Sequence, residues 1–522
     1  MRDRRRGWAA VGAVLLALGL TACGRESGGG AAGTAQGPVT VLAGSELRDV
    51  EPQLLKAAAD AGVPVKLSYA GTLDIVERVN AGEAVDMILP PSGAYPSLAL
   101  ATPPRAREKL FYSRVVLGVR SDKARALGWD RRAPAWTDIA RAAGAGRLHF
   151  AMTNPTSSNT GMSALFAVAS AVAGKTEDLS EKEVNGTVLK AFLAGQTLTA
   201  GSSGWLAEAY ARDPSALDAM INYEAVILRT NASLADKDRL VIIHPRDGVI
   251  TADYPLMLLN ERRRDAYTRL VAAFKSVAVQ QNLAASAFLR PALPDVPLAA
   301  GVSPEPVVEL TFPNRLEVID AVLQAAQAQW RRPATSIFVL DVSDSMAGAR
   351  LDAMRQALLT LVEAKGLAAS QRYAGFQPRE RVIMIPFSDK VFPPTQVDFG
   401  QETLDDGRRQ LRTFVNALHI AGGTAIYAAL IRADELADAE LRQSPDRTVS
   451  IVLLTDGINN SGPGYYEFMR HRGADAVRVF PILFGEASVD QMESLASATR
   501  GRTFDGRHTA LASIFKDIRA YQ

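Results

Sequence analysis

Cysteine is almost missing from this chain: Cys23 is the only one in 522 residues. That excludes a disulfide scaffold and any zinc or iron–sulfur site built from several thiolates. Histidine is scarce as well, with five residues (His149, His244, His419, His471 and His508) scattered along the chain and none spaced as a ligand pair. No apolar run reaches the roughly 18 residues that a permanent membrane-spanning helix needs. An excess of charge of one sign is also lacking. The formal net charge is +2, and Arg2, Arg4, Arg5 and Arg6 account for it, so the rest is neutral to within one charge. A neutral body has no basic face with which to displace phosphate counterions, and nucleic-acid binding is not expected. No GxxxxGK[ST] loop is present, which leaves the chain without an ATP-driven motor of its own.

What the chain does have is ordinary globular composition, 48% hydrophobic and 22% charged. At roughly 100–200 residues per domain, its length predicts two to four domains. Four arginines followed by the 13-residue apolar run Trp8–Leu20 have the anatomy of a secretory signal. Its end, Leu20-Thr21-Ala22-Cys23, resembles the lipobox of bacterial lipoproteins. The resemblance implies a signal peptide over 1–23, cut before Cys23, whose thiol then carries the lipid. Residues 24–37, with six glycines, read as a flexible tether. The expected location is the cell membrane, lipid-anchored and facing the extracytoplasmic side.

Beyond the tether, short apolar runs alternate with helical patterns, the signature of βαβ units on a parallel sheet. Strands are expected at 38–44, 64–71, 85–90, 114–120, 225–230 and 239–245, with helices between the first three. A proline-rich stretch from 289 to 310 breaks the periodicity, and a helix follows near Arg315–Trp330. A second α/β series then runs to the C-terminus, with strands at 336–342, 381–387, 447–457, 477–485 and 501–506. The organisation predicted is a first α/β domain over 38–293, a linker and connecting helix over 294–332, and a second α/β domain over 333–522.

Open parallel sheets collect functional groups where strands end and loops cross. Three strand-end or loop positions in the second series bear unusual residues: Asp341, Ser343 and Ser345 after IFVL, Thr424 within AGGTA, and Asp456 after IVLLT. These are all oxygen donors, and hard oxygen sets suit Mg²⁺, Mn²⁺ or Ca²⁺ better than zinc or copper. With only two carboxylates, a bound cation keeps positive charge and an open position for a partner's carboxylate. The serines have no nucleophile–base partner in the pattern, and no enzyme activity is expected.

Those five residues resemble, in order, the metal-ion-dependent adhesion site of the von Willebrand factor type A (VWA) family. The resemblance implies a Rossmann-like doubly wound domain, direct coordination by the two serines and the threonine, and protein–protein recognition through Mg²⁺ (or Mn²⁺ or Ca²⁺). Asp344 departs from the glycine common at that position.

The first domain resembles type 2 periplasmic solute-binding proteins, two α/β lobes around a cleft. The loop AMTNPTSSNTGMSAL is similar to the one that, in anion-binding members, presents hydroxyls and a helix N-terminus to an oxyanion. Candidate solute-binding residues are Ser45, Thr72, Ser92, Ser158, Asn159, Thr160 and Tyr223. The expected function is a membrane-anchored binding protein that recognises an acidic protein partner through a divalent cation and captures a small solute or oxyanion. The alternative is a receptor for an ABC-type importer with an accessory VWA domain.

Overall fold

The computed structural model describes residues 37–363, 373, 375–473, 476–509, 511–519 and 521. Cys23 and the tether up to residue 36 lie outside them. Three sheets organise residues 38–522. In the first, Val65–Ala70, Val39–Gly44 and Met87–Leu89 run parallel, and Pro255–Leu258 and Ala106–Lys109 close the sheet antiparallel. In the second, the ten-residue strand Phe111–Arg120 pairs antiparallel with Ala219–Tyr223, Leu240–Ile243, Thr251–Ala252 and Arg290–Pro291. Phe150–Thr153 and Gln196–Ala200 extend it on the far side.

Both sheets are therefore mixed rather than purely parallel. The reason is topological: the chain crosses from the first lobe to the second at Leu110 and returns at Asp253–Tyr254. The returning strand must run against the outgoing ones. The crossing is tight enough to force Tyr254 to φ +33°, a left-handed value costly for a residue with a side chain. One expected strand is a helix. Residues 225–230 fall inside the helix Glu224–Ala232, and the strand is Ala219–Tyr223 just before it. Glu224 at the first helical position, where a negative charge meets the positive helix end, is the signal that outweighs the β-branched run.

The third sheet has the order Thr395–Phe399, Glu380–Phe387, Ala334–Asp341, Thr448–Thr455, Arg478–Leu483, Phe504–Asp505. All neighbours are parallel except the edge strand Thr395–Phe399. Every residue of Ala334–Asp341 is buried, as a central parallel strand covered on both faces requires. Alternate side chains feed two cores. Ile337, Val339, Ile451 and Leu453 face the helix Ile426–Gln443. Phe338, Leu340, Val452, Leu454 and Phe480 face the other way, into a core that also contains Trp205, Leu206 and Tyr210 of the second lobe.

That shared core is reinforced by polar contacts. The Trp205 and Tyr521 rings meet edge-on at 4.5 Å, and Arg212 donates to the Gly501 carbonyl at 3.4 Å. The connecting helix Leu316–Ala325 ends in a π-helical turn, Ala326–Trp330, a local widening often found at functional positions. From that turn the buried Gln327 amide donates to Asn154 Oδ1 at 3.1 Å and to Thr156 Oγ1 at 3.0 Å. The segment between the two α/β domains is thus bonded into the second lobe at the solute loop itself. Among the described residues, no helix is long and apolar enough to cross a membrane.

Candidate functional site

The predicted metal ligands converge at the C-terminal edge of the third sheet. Asp341 ends its central strand and sits beside Thr455, because Leu340 pairs with Leu454 in the adjacent strand. Its carboxylate accepts from the Ser343 N–H at 2.8 Å and from the Thr455 hydroxyl at 2.7 Å. Burial pushes the Asp341 carboxyl above its ordinary range. Ser343 Oγ and Ser345 Oγ lie 3.0 Å apart, and the Ser345 hydroxyl donates to Asp456 Oδ1 at 2.7 Å. Thr424 comes from the loop preceding Ile426–Gln443. Its Oγ1 and Ser345 Oγ flank Gly457, 3.4 and 3.7 Å from where a side chain there would start. All five predicted residues are brought together.

The donor set fits a small hard cation. Neighbouring oxygens in an octahedron with Mg²⁺–O distances of 2.0–2.1 Å are about 2.9 Å apart. The Ser343–Ser345 and Ser345–Asp456 separations, 3.0 and 2.7 Å, bracket that edge. Only two of the five candidate ligands are carboxylates, which suits an ion that also takes water or a partner's oxygen.

Two supporting residues escaped the sequence reading. Asn460 Oδ1 accepts from the Thr424 N–H at 2.8 Å and fixes the loop that presents Thr424. Arg350, in the first turn of Ala349–Glu363, donates through Nη1 to Asp456 Oδ2 at 2.5 Å and to the Ser345 carbonyl at 3.1 Å. A cation in the first turn of a helix is an oddity that sequence alone displays, since the helix dipole disfavours it.

The solute candidates divide. The lobes touch: a Cβ on Gly71, ahead of Thr72, would lie 2.2 Å from the Ser157 carbonyl oxygen of the second lobe. Behind this contact Asn159 Nδ2 donates to the Tyr223 hydroxyl at 3.0 Å. Asn159 Oδ1 and Thr72 Oγ1 are buried without a hydrogen-bond partner. Ser158 and Thr160 are buried too, but their hydroxyls serve the loop: Thr160 Oγ1 lies 3.2 Å from Ser158 Oγ and 2.7 Å from Thr153 Oγ1. Ser45 lines a cavity of about 260 Å³ with Gly71, Ser157, Ser202 and, from the second α/β domain, Arg502 and Tyr521. Ser92 is placed elsewhere. It accepts from the Ala94 N–H at 3.3 Å and lines a separate cavity with Arg107 and Lys109.

The strongest polar feature of the cleft is one that the sequence reading passed over. Glu46 follows Ser45 and is 4% exposed. Its Oε1 has no partner, its Oε2 is 3.5 Å from Ser203 Oγ of the second lobe, and Tyr254 is its neighbour from the crossing segment. Burial raises its carboxyl from 4.5 to about 7. The Tyr223 and Tyr254 phenols, 5.9 Å apart between ring centroids, are likewise held well above their usual range by burial. Glu46, Tyr254, Tyr223 and Asn159 thus form an interlobe cluster in which Glu46 Oε1 and Asn159 Oδ1 have no hydrogen-bond partner.

Comparisons with known proteins agree with this layout. The family model "Bacterial extracellular solute-binding protein" matches residues 39–289, and "von Willebrand factor type A domain" matches residues 337–517. Human inter-alpha-trypsin inhibitor heavy chain H3 is 29% identical over 148 residues, 28% of this chain and 15% of its own. The chain spans 12–15% of the length of such curated relatives. Among solved structures, the ferric binding protein from Campylobacter jejuni is similar at 16% identity and TM-score 0.42, covering 55% of this chain and 96% of its own. The von Willebrand factor type A protein from Catenulispora acidiphila aligns at 18% identity and TM-score 0.30, over 36% and 42% of the two chains. The chain joins a bacterial extracellular solute-binding domain to a C-terminal von Willebrand factor type A domain.

Proposed function

We propose that this chain is a lipid-anchored extracytoplasmic binding protein that recognises an acidic group on a protein partner at a divalent-cation site and captures a small solute between its lobes. The observation that carries the reading is the convergence of Asp341, Ser343, Ser345, Thr424 and Asp456, with oxygen separations of 2.7 and 3.0 Å, at one sheet edge. Mg²⁺ held there would supply an open coordination position for a carboxylate. Asp341 and Asp456 would provide the charge, the three hydroxyls the neutral ligands. The role is binding rather than catalysis: the serines are hydrogen-bonded to each other and to a carboxylate, not to a histidine or lysine base.

The solute role rests on the interlobe cluster around Glu46. Protonated, Glu46 adds a donor for an oxyanion beside Tyr223 and Tyr254. Ionised, it repels one, so an oxyanion solute is held more weakly above about pH 7. Anchoring rests on Cys23 and the preceding apolar segment. The function is tested by cross-linking partners from membranes with Mg²⁺ or with a chelator. Partners lost on chelation and absent with Asp341→Ala support the reading. A partner set indifferent to both overturns it.

A further inference from the structure

The Asp456 carboxylate faces two ways. Its Oδ1 accepts from Ser345 inside the proposed cation site, and its Oδ2 is held by the Arg350 guanidinium at 2.5 Å. Asp456 is fully buried at its side chain, whereas that of Arg350 is 35% exposed. The guanidinium is seated by the loop that follows strand Arg478–Leu483. Gly485, at φ +52°, passes so close that a Cβ there would lie 3.0 Å from Arg350 Cζ and 2.8 Å from Asp456 Cβ. Any larger residue would displace either the arginine or the aspartate. The contact is therefore built into three segments: the helix start at 349, the strand end at 455 and the turn at 485.

We propose that Arg350 is an internal competitor for the cation, a tethered positive charge that holds one of the two ligand carboxylates and lowers the affinity of the site for a free divalent ion. The proposal deepens the metal-site reading and rests on it. A dication entering beside Asp456 meets a like charge at short range, and Coulomb repulsion over such a distance, even in a water-like dielectric, corresponds to about a tenfold loss in affinity. The bare site is thereby set to low occupancy, and an arriving carboxylate finds both a cation and Arg350 to neutralise it.

The test measures Mn²⁺ binding to the full-length chain by calorimetry, in wild type, Arg350→Gln, Arg350→Lys and Asp341→Ala. Arg350→Gln keeps a hydrogen-bond donor and loses the charge. It should bind Mn²⁺ about tenfold more tightly than wild type, with the gap shrinking as salt rises from 0.05 to 0.5 M. Arg350→Lys restores a positive charge and should return the affinity towards wild type. Binding by Arg350→Gln alone, with none by wild type, supports the proposal in its extreme form. An affinity of Arg350→Gln equal to or weaker than wild type overturns it and makes Arg350 a positioning residue for Asp456. Equal Mn²⁺ binding by wild type and Asp341→Ala, or none by any variant, removes the metal site and the proposal together.

Discussion

Replacing Glu46 by glutamine should stabilise the protein at alkaline pH and leave it unchanged at acid pH. In the unfolded chain this carboxyl ionises near 4.5, and in the folded chain only near 7, because burial between the lobes penalises the charge. Between those values the folded state binds more protons than the unfolded state. Stability therefore falls as pH rises, and the loss is complete once pH exceeds the folded value. At 1.36 kcal/mol per pKa unit, a rise from 4.5 to about 7 costs about 3 kcal/mol above pH 8. Glutamine has the shape of the protonated form and no charge to bury, so it escapes that cost. Unfolding entropies of about 2 cal/mol/K per residue convert the difference to roughly 3–6 °C, depending on whether one domain or the whole described unit melts together. Thermal melts of wild type and Glu46→Gln at pH 3.5, 6 and 8.5 should coincide at the lowest pH and separate progressively. Parallel curves at all three, or a lower melting point for the variant at pH 8.5, would refute the idea that an ionisable carboxyl is trapped in the cleft.

Other substitutions probe the remaining features. Asp341→Ala should abolish Mg²⁺ binding and Thr424→Ala should weaken it more mildly, since only the first removes charge; titration calorimetry separates them. Asp456→Ala should lose the metal as well, but at a cost in melting temperature, because it leaves Arg350 without the carboxylate that seats it and opens a gap beside Gly485. Trp205→Ala should destabilise the chain by about 3–5 kcal/mol. It should shift the melting of the VWA domain too, which fragment-specific hydrogen exchange would detect, because the Trp205 ring packs on Tyr521. Cys23→Ser should release the protein from membranes on fractionation if this thiol carries the anchor.

The five candidate ligands were legible in the sequence because each lies near a structural boundary: Asp341 at a strand end, Ser343 and Ser345 around the short helical turn that follows it, Asp456 just past Thr455, and Thr424 two residues before a helix. Short loops leave little freedom in where such side chains go. Arg350 was harder to see, as its role depends on Gly485, which is 135 positions away in the chain and close only once the sheet has formed. In the first domain the hydroxyls of the solute loop drew attention, yet Ser158 and Thr160 largely satisfy one another. Glu46 looked like an ordinary acidic residue near a helix start. Its burial follows from closure against Ser203 and Tyr254, more than 150 residues away. Residues 225–230 misled for a local reason, since a run of apolar and β-branched residues fits a buried helix as well as a strand. The shared core was not legible at all: Trp205 lies in the helix Ser203–Arg212 and Tyr521 just past the helix Leu511–Arg519, and either apolar pattern reads as one that a single domain would bury within itself.

That shared core changes what counts as a separable part. A cut at residue 333 follows the grain of the sequence, but it would bare Phe480, Phe504 and Tyr521 on one side and Trp205 and Tyr210 on the other. It would also part the turn of Gln327, bonded to Asn154 and Thr156, from the strand Ala334–Asp341 it leads into. The second lobe and the VWA domain therefore share one core while the chain passes between the lobes at Leu110, at Asp253–Tyr254 and again before Arg290–Pro291. A motion of the second lobe that leaves this core intact carries the loops at the C-terminal edge of the third sheet with it, as a door carries its handle.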